Sequence, residues 1–434
     1  MISAALKGHG ESRALAWDTL IALVVRLVGA GSSFFMSLVI ARALGAQEAG
    51  YFLLAFSIIT FLAALSRAGL DNVVLRHTGA AAPDGDMLRV RLLMRRSLLL
   101  AGGLSLLIAG LLILLAEPVA LYVFNKPELG PVLRLMAPGL VGLALFTLVA
   151  MSLQGLRRVI ASVSTVNILA NLLLITALLS LPLGSAASAS ATYSTAAILT
   201  LLVGLGLWWR ATSVKTDTAH EPLVWRDILS PALPLWIVLI MTQLIQWSAQ
   251  FIAGAQVAPE QLAQLAVAQR TAMLTSFVLM AVNLVVAPRF AAMHGKGDLD
   301  GMRRVALTSV RLMLLAATPV LAVMVFLPDW LMRLFGEEFA AGASLLRILA
   351  IGQFVNVATG SVGYLLSMTG HEKDLRNSLL IAAPLSIVLS LWLIPTYGAI
   401  GAAVATAMAI ASQNLLAVFW VRRRLGFNTL AIWR

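Results

Sequence analysis

The sequence predicts an all-α polytopic membrane protein, with twelve transmembrane helices in two six-helix bundles related as a parallel internal repeat. Three observations predict it. Of 434 residues, 60% are hydrophobic and only 12% charged, against about 25% charged in an ordinary soluble domain. Apolar stretches long enough to cross a bilayer recur along the whole chain between short polar connectors. Lys and Arg crowd into alternate connectors, as they do on one side of a membrane.

Taken in order, the first stretch, 15–41, is too long for a cleavable signal peptide and is expected to stay as a span. The second follows at 48–70 and the third at 93–116, after a connector rich in arginine (Arg76, Arg89, Arg91, Arg95 and Arg96). The remaining spans are expected at 131–153, 159–181, 187–209, 231–256, 262–288, 306–327, 345–367, 378–394 and 399–420. With the termini on the cytoplasmic side, 22 of the 31 Lys and Arg residues fall on that side and five on the other. Four lie within spans: Arg26, Arg67, Arg270 and Arg311. Two longer connectors, 117–130 and 328–344, are each expected to hold a small interfacial helix.

Those connectors also carry the repeat. Leu133-Arg134-Leu135-Met136-Ala137-Pro138-Gly139 aligns with Leu346-Arg347-Ile348-Leu349-Ala350-Ile351-Gly352, Phe124 with Phe335, Gly155 with Gly370, and Leu181-Pro182 with Ile394-Pro395. The register implies two copies of six spans each, 1–215 and 216–434, related by an axis along the membrane normal and facing each other across a cavity.

The polar residues inside the spans are the candidate site. Thr19, Arg26, Ser33 and Ser37 share one helical face, with Arg26 near the middle of its expected span. A guanidinium at mid-bilayer costs from about 3 to above 10 kcal/mol, so Arg26 either pairs with a carboxylate or lines a polar cavity. Of 19 acids only Asp18 lies clearly within a span, which favours the cavity and an anionic ligand. Arg270, in the eighth span, is its second-half counterpart; Arg67 and Asp71 are spaced for an i,i+4 ion pair, and Arg311 lies close enough to the interface to snorkel. Amide stripes run along the seventh span (Gln243, Gln246, Trp247 and Gln250, with Trp236), the tenth (Gln353 and Asn356), the fifth (Ser164, Asn167 and Asn171) and the twelfth (Thr406 and Gln413). Amides beside aromatic rings suit sugar hydroxyls, and they also serve as glue between helices. The substrate-binding candidates are therefore Arg26, Arg270, Gln243, Gln246, Trp247, Gln250, Gln353 and Asn356.

Enzyme chemistry finds no footing. There is no phosphate-binding glycine loop, no cysteine, and the five histidines (His9, His77, His220, His294 and His371) are scattered along one side. No cofactor or metal is expected. The net charge of +12 is explained by the sided connectors and needs no nucleic acid.

Residues 41–76, ARALGAQEAGYFLLAFSIITFLAALSRAGLDNVVLR, resemble the segment joining the first two helices of the Wzx-like lipid-linked oligosaccharide flippases, in the MATE-like (MOP) superfamily. Within 335–405, FGEEFAAGASLLRILAIG, LLSMTGHEKD and above all LIPTYGAIGAAVATA resemble the tail of the same family. The resemblance implies a V-shaped pair of bundles in the bacterial inner membrane. It further implies that an undecaprenyl-diphosphate-linked oligosaccharide (an O-antigen, exopolysaccharide or capsule repeat unit) passes from the cytoplasmic to the periplasmic leaflet by alternating access. Family members place cations in the central cavity, a role Arg26 and Arg270 can take here. Implied partners are the lipid-linked substrate and membrane lipids, with a polysaccharide polymerase and chain-length regulator as further candidates. A MATE-type ion-coupled multidrug exporter is the competing reading; it calls for a deep carboxylate, for which Asp18 and Asp71 are the candidates.

Overall fold

The computed structural model describes residues 2–181, 183–213 and 224–431; side chains are described from Val24 onward, except those of Arg26, Ala30 and Leu284. Among the described residues every regular element is a helix, as a bilayer demands of a chain whose backbone polar groups must be satisfied within each segment. In chain order these are α1 (Ile2–Ser66), α2 (Leu70–Ala81), α3 (Met87–Pro118), α4 (Leu129–Gly155), α5 (Val159–Val163), α6 (Leu169–Ser180) and α7 (Ala186–Thr212). The second half holds α8 (Trp225–Gln256), α9 (Pro259–Ala272), α10 (Ser276–Gly295), α11 (Leu299–Phe326), α12 (Pro328–Arg333), α13 (Ala343–Thr359), α14 (Val362–Met368) and α15 (Glu372–Leu425).

Among the described residues, ten helical segments are long and apolar enough to cross a membrane, where the sequence count is twelve. The difference lies at two glycines. Gly45 (φ 74°) interrupts α1 and Gly398 (φ 57°) interrupts α15, both in backbone conformations that favour glycine. Each helix doubles back there. Arg270 touches both Ser37 and Phe56, which a straight helix would hold about 28 Å apart. Likewise Arg424 pairs with Asp374, 50 residues earlier in the same helix, at 2.7 and 3.2 Å.

The internal repeat is visible as repeated contacts. Arg134 pairs with Glu117 at 2.9 Å and its aligned residue Arg347 with Asp329 at 3.9 Å. A methyl group on Gly139 would meet Ser194 of α7 at 3.0 Å, and one on the aligned Gly352 would meet Ala407 of α15 at 2.8 Å. Small residues let these helix pairs approach closely, the usual way apolar helices associate in lipid.

Turns alternate between two faces, one rich in arginine and one sparsely charged. At the sparsely charged face both halves share one core, with Met36, Leu53 and Phe124 packed together with Leu265 and Phe335. Toward the arginine-rich face one core, around Val74, Leu93 and Leu153, takes in Ile228 and Ala232 of α8, and another, around Phe290, Met302 and Leu365, belongs to the second half alone. The halves share a broad core at the sparsely charged face, and at the arginine-rich face they meet where α8 lies against α2. Leu107 and Leu114 of α3, Leu315 and Phe326 of α11 and Trp392 of α15 remain exposed on the outside, where lipid chains cover them.

Of the two longer connectors, 328–344 holds α12 and a short 3₁₀ turn, Glu337–Gly342, as expected. The other does not form a separate helix: α3 runs on through a wide π turn, Val119–Val123. An unforeseen helix, α2, forms in the arginine-rich connector, because Leu70, Val73 and Val74 are spaced to bury one face.

Candidate functional site

The central feature is the break between α9 and α10. Thr271 and Thr275 turn their hydroxyls back onto the carbonyls of Val267 and Ala272, which competes with the helix ladder and bends it. Met273–Thr275 form a 3₁₀ turn as a result. Just before the break, two adjacent side chains go separate ways. Gln269 donates to the Gln246 carbonyl of α8 at 3.0 Å. Arg270 crosses to the first half, donating from Nη1 to Ser37 Oγ at 2.6 Å, with its guanidinium 5.1 Å from the centre of the Phe56 ring. Phe56 in turn lies edge-on to buried Tyr193 of α7 at 5.2 Å. Arg270 is half-buried, and no carboxylate among the described residues pairs with it.

The first-half wall opposite carries the stripe expected on the first span. Ser37 receives Arg270, and Ser33 Oγ accepts from Asn171 Nδ2 at 3.0 Å. Asn167 and Asn171 project from around a π turn, Ser164–Ile168. The Arg26 side chain lies outside the described residues. Its backbone stands 19 residues before Gly45, about 28 Å along the helix, so it is nearer the arginine-rich face than the mid-depth expected from the sequence. Arg270, 11 residues from Pro259, is about 16 Å in and closer to the middle.

A cavity of about 170 Å³ opens within the second half, between α8, the α9–α10 break, α13 and the segment of α15 after Gly398. Gln246, Gln353 and Asn356 line it together, as do Gln269, Gln413 and Asn414. Gln353 Oε1 accepts from Ser276 Oγ and Asn356 Nδ2, each at 3.1 Å. The seventh-span stripe is divided between two environments. Gln250 is 2% exposed and donates to the Leu53 carbonyl across the seam between halves; Trp236 does the same with the Leu65 carbonyl. Trp247 has a buried indole N–H without a partner among the described residues, and Gln243 is half-buried outside the cavity. Gln269 and Asn414 were not among the sequence candidates; the adjacent amides at 413 and 414 in an apolar segment were the available signal.

The seam is closed most firmly at the sparsely charged face. Lys126 of the first half, 8% exposed, donates to the Gly254 carbonyl at 2.7 Å, and burial holds its ammonium pKa below the usual lysine range. Glu338 of the second half accepts from the Ala46 N–H at 2.8 Å, while its own carbonyl accepts from Gln264. These residues stand two and three positions beyond the aligned Phe124 and Phe335, so the repeat supplies one clasp in each direction. Elsewhere Arg67 and Asp71 form the expected pair at 2.8 Å. At the arginine-rich face His77 sits with Arg76 in a pocket between α2 and α8; burial, then Arg89 and Arg76, push its pKa below the ordinary value.

This arrangement matches known proteins over most of its length. The polysaccharide biosynthesis protein family matches residues 15–294. The chain belongs to that family. The MatE family also matches, over residues 234–392. Among curated relatives of this chain is a probable low-salt glycan biosynthesis flippase of Haloferax volcanii, 22% identical over 403 residues, covering 93% of this chain and 82% of that one. Among solved structures, an inward-facing multidrug resistance MATE family transporter of the MOP superfamily superposes with a TM-score of 0.71 at 15% identity, covering 93% and 98% of the two chains. The lipid II flippase MurJ in an inward closed conformation gives 0.70 at 13% identity, covering 93% and 87%. The fold is that of the MATE-like superfamily.

Proposed function

We propose that this family member is a flippase, a transporter without catalysis, that carries a lipid-linked glycan from one leaflet to the other. The observation that carries the reading is Arg270: a half-buried cation at the seam of two bundles, anchored by a hydroxyl and a ring but by no carboxylate among the described residues. A guanidinium kept in that state suits a diphosphate, which it can hold with two parallel N–H donors. The family membership and the Haloferax relative support a glycan as the cargo.

In this reading the bundles are 1–215 and 216–434, the two halves of α1 and of α15 cross separately to make twelve spans, and both termini are cytoplasmic. Arg26 and Arg270 bind the diphosphate of an undecaprenyl-diphosphate-linked oligosaccharide. Gln243, Gln246, Trp247, Gln250, Gln353 and Asn356 belong to the path of the sugars, and the lipid chain stays in the membrane. The first segment of α1 meets the second half near its Gly45 end, through Phe34, Ser37 and Arg42. Alternating access moves the cargo from the cytoplasmic to the periplasmic leaflet of a bacterial inner membrane, where a polymerase and chain-length regulator receive it. A drug exporter of the same fold calls for a deep carboxylate. Asp71 and Asp374 are instead held by Arg67 and Arg424, and the Asp18 side chain lies outside the described residues.

The test is surface glycan display in a strain carrying Arg26→Ala or Arg270→Ala. Each is expected to abolish display while the protein remains in the membrane. Full display by Arg270→Ala would sink the diphosphate assignment.

A further inference from the structure

The cavity inside the second half is built to a different specification from the seam. Its polar wall is made of amides and hydroxyls, and none of its lining residues is ionisable. Arg270 follows Gln269 directly yet points out of the cavity to Ser37 and Phe56. Much of the hydrogen-bonding capacity is unspent. Gln413 makes no hydrogen bond among the described residues. Gln269 uses only its N–H₂, Gln353 only its carbonyl and Asn356 only its N–H₂. Were these amides only helix glue, their second groups would also be bonded across the helix contacts, because an unsatisfied polar group in a low-dielectric interior is costly. Met273, Leu349 and Ile410 complete the lining with apolar side chains. At about 170 Å³ the space is smaller than the roughly 300–1,000 Å³ that holds a drug-sized ligand, so it fits one ring rather than a whole oligosaccharide.

We propose that this pocket is a subsite for a single uncharged sugar ring of the cargo, reading its hydroxyl or acetamido groups through Gln269, Gln353, Asn356 and Gln413 and rejecting a sugar that carries a net charge. It rests on the flippase reading for the identity of the cargo. The rejection follows from the lining: a carboxylate or ammonium entering the pocket loses its water and meets only neutral dipoles. The arrangement divides recognition into two parts, charge at the seam and neutral ring in the second half.

The experiment is binding to the purified full chain in nanodiscs, read as quenching of intrinsic tryptophan fluorescence. The probes are a polyprenyl diphosphate bearing no sugar, N-acetylglucosamine, glucuronic acid or glucosamine. The neutral sugar is expected to tighten binding about tenfold over the bare diphosphate, and the glucuronate not at all. Gln353→Leu and Gln413→Leu, on separate helices, should each bring the ratio of neutral-sugar to bare-probe affinity close to one. Gln413→Glu should gain preference for the glucosamine probe, a result that a merely misfolded pocket does not produce. A ratio unchanged in the leucine variants, or a glucuronate bound as well as the neutral sugar, overturns the proposal. If the sugar-bearing probe binds and depends on Gln353 while the bare diphosphate does not bind, the diphosphate reading fails and the subsite stands. If no probe binds, both fail.

Discussion

At the scale of single residues, environment decides what each polar side chain does. Gln246 and Gln250 lie one turn apart on α8, yet the first lines the cavity and the second donates across the seam to Leu53. Arg67 and Arg424 are spent on carboxylates, whereas Arg270 is not. His77 offers a test that reads its surroundings directly. Its folded pKa lies below the usual value of about 6.5, so on acidification the unfolded chain takes up the proton first. Stability should therefore fall as pH drops through about 6.5 and level off below the folded pKa, with a slope under the ceiling of about 1.4 kcal/mol per pH unit for one proton, and less because the ring is only partly buried. Melting curves of the wild type and His77→Gln between pH 7.5 and 5.5 should diverge, the variant lacking this component.

At the scale of elements, the glycines that carry close helix contacts should be sharply unequal to those that face lipid. Gly139→Val and Gly352→Val force a side chain into α7 and α15 respectively, where less than a methyl's room exists; each is expected to cost about 1–3 kcal/mol. Gly103→Val, with nothing within 4 Å, should cost far less, and thermal unfolding in detergent distinguishes them. Which glycines would matter was partly legible beforehand. Gly139 and Gly352 stand at the same place in the aligned LRxxAxG motifs, and a repeated small residue inside an apolar helix is a packing signal. The turn at Gly45 lies in the connector where two spans were expected to meet. By contrast the sequence marks α2 only as a connector, because its buried face spans only a few residues between arginines.

At the scale of the whole molecule, the halves are clasped at the sparsely charged face. The clasp has two arms, Lys126 on the Gly254 carbonyl and Glu338 on the Ala46 N–H. Hydrogen bonds to charged groups contribute about 1.5–3 kcal/mol each, and tenfold in a two-state ratio takes about 1.4 kcal/mol, so removing one arm should shift the balance toward a state open at the sparsely charged face by about tenfold or more. The chain has no cysteine, so spin labels can be placed at Gln47 and Glu337 without further changes. Lys126→Gln and Glu338→Gln should each broaden that distance distribution toward longer separations. A distribution identical to the parent in both variants would show that the clasp does not hold the closed state.

The sequence by itself determined the membrane class, the alternation of charged connectors, the repeated motifs and the family resemblance. Each follows from a linear property: apolar length, charge alternation, or spacing of motifs. It also placed Arg270 and the amides on helical faces, because the period of a helix is known in advance. Only the tertiary structure decided which neighbour lies against each face. Gln269 and Arg270 stand about 100° apart around α9, and packing puts α8 against the first and Ser37 of α1 against the second; the positive-φ turns at Gly45 and Gly398 fold two long helices into hairpins. Those outcomes depend on packing between segments far apart in the chain, a property that the pattern within any one segment does not contain.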